Sequence, residues 1–130
     1  MTTTRTSGLA QTAHFGPGYD RTFRKDRTTL GLFFPIEAFE GPRPAMEHQV
    51  ELAQEAERLG FSALWARDVP LDDPSFGDLG QIYDPFVWLA TVAAHTSEIA
   101  LATGSVILPL HHPVDVAKQA TSLDHLSRGG

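Results

Sequence analysis

The sequence predicts an α/β protein in which short buried strands alternate with helices. Apolar runs at 29–34, 61–66 and 99–106 carry almost no polar alternation, as strands covered on both faces do. Each run is followed by a segment with helical periodicity, and Pro44, Pro85 and Pro113 stand where a first helical turn tolerates proline. Helix-to-strand connections are short, which favours a βαβ crossover over a hairpin and makes the strands parallel.

Thr29-Leu30-Gly31-Leu32-Phe33-Phe34, stopped by Pro35, is the expected first strand. The helix expected next opens at Pro44. Met46, Val50, Ala53 and Leu59 recur at helical spacing, Glu47, Glu51, Glu55 and Glu57 occupy polar positions, and Gly60 supplies the stop. Phe61 to Ala66 reads as the second strand. A polar loop from Arg67 to Tyr83 carries Asp68, Asp72, Asp73 and Asp78, and its length points to function. Asp84-Pro85 is an N-cap followed by proline, opening a strongly apolar helix through Ala94 that must be covered on more than one side. Ile99 to Val106 is the expected third strand, and Pro113 begins a third helix through Val116, Ala117, Ala120, Leu123 and Leu126. This alternation fits a doubly wound sheet or a barrel, and periodicity does not separate them. Residues 1–27 lack periodicity and read as an N-terminal extension to a domain spanning 28–130.

The 130 residues are 42% apolar and 20% charged, the balance of a globular chain. No cysteine is present, which excludes disulfides, thiolate nucleophiles and zinc–thiolate sites. No apolar run reaches bilayer length and the N-terminus lacks the apolar core of a secretory leader, so a cytoplasmic location and no membrane partner are expected. Residues 1–27 hold Arg5, Arg21, Arg24, Lys25 and Arg27 against Asp20 and Asp26. That +3 leaves −9 on the remainder of a chain of net charge −6. Without interleaved aromatics or a basic face, no nucleic-acid partner is expected, and a solvated arm packing on its own domain or a partner subunit is the preferred reading.

The run Thr103-Gly104-Ser105-Val106-Ile107-Leu108-Pro109-Leu110-His111-His112-Pro113 is followed by Ala117-Lys118-Gln119-Ala120 and Leu123-Asp124-His125-Leu126-Ser127. With Leu59-Gly60-Phe61, Leu64-Trp65 and Asp84-Pro85, it resembles the bacterial luciferase-like monooxygenase family in order and spacing across residues 28–130. His14 to Tyr19 and Gly31 to Phe39 further resemble one luciferase-type oxidoreductase subgroup of that family.

The resemblance implies the N-terminal three βα units of a (β/α)₈ TIM barrel, truncated, with chemistry at the C-terminal ends of the strands. It implies FMN or a 5-deazaflavin coenzyme, a small organic substrate and a homodimer. It also implies a cofactor-binding stretch Gly104, Ser105 and Val106, with a non-proline cis peptide at Ser105–Val106. Asp68 matches relatives, whereas Val69 replaces a histidine that serves some of them as an acid or base. Asp68 and Arg67 are therefore the catalytic candidates: the carboxylate is expected either to accept a hydrogen bond from flavin or to orient Arg67 against its negative charge, with an ordinary strand-end ion pair as the rival. Phe34, Pro35 and Glu37, just past the first strand, are the expected substrate-side residues. Trp65, Phe86 and Trp88 lie inside apolar runs and are expected in the core.

No metal is expected, since the aspartate spacing departs from the calcium-loop pattern and His112 reads as a helix-entry residue. Rival readings are a non-catalytic flavin-binding or structural subunit, and a metal-dependent hydrolase using His111, His112 and the aspartates. Barrels of this kind need about 250 residues. Three units alone would leave sheet edges exposed, and are expected to be marginally stable and inactive.

Overall fold

A computed structural model describes residues 15–41, 43–71, 75 and 83–130. The elements are α1 (Pro17–Thr22), β1 (Gly31–Phe33), α2 (Gln49–Arg58), β2 (Ala63–Ala66), α3 (Pro85–Ala93), β3 (Ala100–Thr103), a 3-10 turn (Leu108–Leu110) and α4 (Pro113–Leu126). Among the described residues the strands form one sheet in the order β1-β2-β3, every pair parallel. The chain is thus α/β, as its alternating pattern predicts.

Register decides which side chains share a face. Leu32, Leu64 and Leu101 lie in one row, and Phe33, Trp65 and Ala102 in the next. Because successive strand residues point to opposite faces, the leucine row meets α2, α3 and α4 and the aromatic row faces away from those three helices. The helix side is the core, where Leu64 and Ala66 pack with Ala53 and Ala56 of α2, Trp88, Leu89 and Val92 of α3, and Leu123 of α4. On the opposite face the rings of Phe33 and Trp65 stack with centroids 5.9 Å apart. Glycine flanks this pair: a Cβ on Gly31 would lie 2.7 Å from Trp65 Nε1, and one on Gly104 would lie 2.7 Å from Phe33 Cε1.

The helices confirm some start signals and correct one. Asp84 caps α3 by accepting the Val87 N–H at 3.0 Å, with Pro85 in the first turn. Pro113 opens α4. Pro44, however, does not open α2. Met46 and His48 have φ of 58° and 56°, left-handed values that interrupt a right-handed helix, so α2 starts at Gln49. The interruption is held by Gln49, 2% exposed, whose Oε1 accepts the Ile36 N–H at 2.7 Å and whose Nε2 donates to Glu37 at 3.4 Å and to the Glu47 carbonyl at 3.3 Å. A buried amide thereby satisfies the Ile36 N–H and the Glu47 carbonyl, the second a group that a longer helix would have satisfied itself.

Residues 15–27 of the expected extension carry structure. α1 packs against β2 and β3, its Gly18 N–H bonds the Gly129 carbonyl at 2.8 Å, and Arg21 pairs with Glu98 at 2.9 Å. A six-residue helix is too short to display periodicity, which is why its sequence gave no pattern.

Glu57, near the C-terminus of α2, ties α2 to the turn before β3. One carboxylate oxygen accepts the N–H groups of Ser97 at 2.8 Å, Glu98 at 2.6 Å and Ile99 at 2.9 Å. Burial pushes its pKa up, but those three N–H groups and the nearby Arg21 outweigh burial and hold it below the ordinary 4.5.

Candidate functional site

The C-terminal ends of the strands converge at one edge of the sheet. Phe34 N–H bonds the Trp65 carbonyl at 2.9 Å, and Gly104 N–H bonds the Ala66 carbonyl at 2.8 Å, so all three strands end level. There an open cleft of about 450 Å³ is lined by Phe33, Phe34, Pro35, Phe39, Arg67 and Gly104. Its lining is aromatic and apolar except for Arg67. The peptide from Gly104 to Ser105 is exposed to solvent.

Asp68 follows Arg67 and is 8% exposed. Its Oδ2 accepts the Ile107 N–H at 2.9 Å and the Nε2–H of His111 at 2.6 Å. Its own N–H reaches the Ser105 carbonyl at 3.3 Å. An ionised carboxylate has only lone pairs to offer, so the imidazole must present a proton on Nε2. Asp68 therefore spends its bonds on the loop after β3 rather than on the cleft. Beyond it, Leu108, Leu110 and Val114 leave apolar side chains exposed at this end of the sheet.

Several expected site residues move. Phe34 lines the cleft but is 1% exposed, with its ring edge-on to Trp88 at a centroid distance of 5.2 Å, so most of its surface belongs to the core. Strand alternation puts Phe33, 52% exposed, on the open side instead. Glu37 lies apart from the cleft lining: its carboxylate accepts from Met46 N–H at 3.2 Å and Gln49 Nε2 at 3.4 Å, bracing the loop before α2. Pro35 does line it, through a cis Phe34–Pro35 bond.

Of Gly104, Ser105 and Val106, Gly104 alone is a lining residue. The non-proline cis peptide expected at Ser105–Val106 falls one bond earlier, at Gly104–Ser105. The strand ladder ends with the Gly104 N–H, so the chain turns from the sheet immediately after that residue. Trp88 is in the core as expected, Phe86 packs against it, and Trp65 lies on the open face.

Asp72, Asp73 and Asp78 of the expected loop lie outside the described residues. Among the described residues no three His, Asp or Glu side chains gather to hold a metal, and no helix is long and apolar enough to cross a membrane. The partner of Asp68 was not legible from spacing, because His111 lies 43 positions away and only the fold brings it close.

The sequence model of luciferase-like monooxygenases matches residues 28–130, and the chain belongs to that family. It is 35% identical over 106 residues to 4-hydroxyprotoasukamycin monooxygenase of Streptomyces nodosus subsp. asukaensis, covering 80% of this chain and 27% of that protein. It is 30% identical over 83 residues to the oxygenase component of a flavin-dependent trigonelline monooxygenase of Acinetobacter baylyi, covering 64% of this chain and 22% of the relative. The crystal structure of monooxygenase RslO1 from Streptomyces bottropensis superposes with a TM-score of 0.64 at 26% identity, over 78% of this chain and 31% of that one. The chain thus spans between about a fifth and a third of the length of these relatives.

Proposed function

We propose that this chain supplies the first three βα units of a flavin-binding (β/α)₈ barrel, with residues 28–130 as the barrel portion and residues 1–27 as an N-terminal extension whose helix α1 packs on it. The complete enzyme is a flavin-dependent monooxygenase or oxidoreductase acting on a small organic substrate. The observation that carries the reading is the cleft at the C-terminal ends of three parallel strands, the position where barrel enzymes keep their chemistry.

The residues present fit a flavin. A planar heteroaromatic ring needs an apolar surface, close approach to bare backbone and a cation near its charge. Phe33 and Phe39 offer the first, Gly104 the second and Arg67 the third. A reduced flavin, FMN or a 5-deazaflavin coenzyme, brings the electrons for oxygen activation or hydride transfer. The chain's own part is to bind and orient. Arg67 offsets negative charge at the cleft, Pro35 and Phe39 keep water from one side, and Ser105 and Val106 continue the cofactor-side backbone. Asp68 acts by holding that backbone in place. A homodimer accompanies this reading on the strength of the family resemblance, and a cytoplasmic location is proposed with it.

A visible absorbance titration with FMN and with a 5-deazaflavin coenzyme tests it, on this chain and on any longer polypeptide that contains it. Saturable binding of one cofactor, weakened in Arg67→Ala, is the expected result. No binding of either by any form sinks the proposal.

A further inference from the structure

The segment after β3 is held to the end of β2 by polar bonds from Asp68. They reach the loop at three points: the Ser105 carbonyl, the Ile107 N–H and the His111 ring. Burial contributes little there, because Ile107, Leu108 and Leu110 are exposed. His111 is the one member of the three that acts through its side chain, so it is also the one a substitution removes without touching backbone. Asp68 is itself buried, and a buried carboxylate that loses a partner is costly to leave unpaired. The pair therefore fixes the far end of the loop as well as the carboxylate.

We propose that His111 is a positioning residue for the cofactor side of the cleft. Through Asp68 it clamps residues 104–111 onto the end of β2, and so sets the exposed Gly104–Ser105 peptide relative to Arg67 before any ligand arrives. The cofactor half of this statement rests on the flavin reading above. A preset loop binds more tightly because the cost of ordering it is not charged against binding. His111 has this role without touching the cleft, whose lining does not include it.

The test compares wild type with His111→Ala, His111→Gln, Asp68→Ala and the double variant. Amide hydrogen exchange without ligand reads the clamp directly. His111→Ala is expected to speed exchange at Ile107 by about tenfold or more, the scale of one hydrogen bond to a charged group. The amides of Leu64 and Leu101 in the sheet should stay protected, which separates loop release from unfolding. Flavin titration reads the consequence: about tenfold or more weaker binding in His111→Ala, most of it recovered by the donor-bearing His111→Gln, and a double variant no weaker than Asp68→Ala alone. Unchanged exchange at Ile107 overturns the clamp, and additive losses in the double variant overturn its action through Asp68. If wild type binds no flavin, the reading of the site falls, while Ile107 exchange still decides whether the clamp exists.

Discussion

Glu57→Ala should release the turn that leads into β3. Three backbone N–H groups lose their shared acceptor at once. A hydrogen bond to a charged group contributes about 1.5–3 kcal/mol. Three on one oxygen are not additive, so the loss is set at about 2–4 kcal/mol in total. At about 1.4 kcal/mol per decade, the opening constant of the turn rises roughly 30- to 700-fold. Amide hydrogen exchange at Ser97, Glu98 and Ile99 measures this locally, with Val92 as an internal reference. The pH dependence has a fixed sign. The folded pKa lies below the ordinary 4.5, so the stabilisation is complete above about 4.5 and is lost as pH falls through the lower folded value. The gap between wild type and Glu57→Ala should therefore hold steady from pH 7 to about 5 and shrink below 4.5. Exchange at the three amides within threefold of wild type at pH 7 would refute the reasoning.

Gln49→Leu keeps the volume but strands the Ile36 N–H and takes one of two donors from the Glu37 carboxylate, for about 1–3 kcal/mol. A thermal melt should show a midpoint about 5–15 °C lower, and a shift under 2 °C would count against the amide's bracing role. Gly104→Ala forces its new methyl against the half-exposed ring of Phe33, so the stability cost stays near about 1 kcal/mol while the ring leaves its place at the cleft. Flavin titration should show several-fold weaker binding, recovered in part by adding Phe33→Leu; unaltered binding in Gly104→Ala would separate that ring from the cofactor.

Punctuation was the most legible part of this sequence. Asp84-Pro85 and Pro113 act through rules one turn long, and they mark helix starts where expected. The parallel sense of the strands followed from short helix-to-strand connections. Facing was harder to read, because Phe33 and Phe34 stand side by side in an unbroken apolar run, and only the folded sheet puts one on the open face and the other in the core. Pro44 misled because the turn after it is governed by Gln49 reaching back across thirteen positions to Ile36. Asp68 stood out as a strand-end acid, but neither its histidine nor the preference of its oxygen for the loop is encoded locally.

The contact between Gly31 and Trp65 constrains the order in which this sequence can change. Any side chain at position 31 collides with the indole while tryptophan stands at position 65. A smaller residue at 65 removes that obstacle and costs only its own packing. Exchange of bulk between neighbouring strands is thus passable in one direction, aromatic first and glycine second. The reverse order runs through an overfilled intermediate, so lineages that have traded the tryptophan away should be the ones in which position 31 drifts.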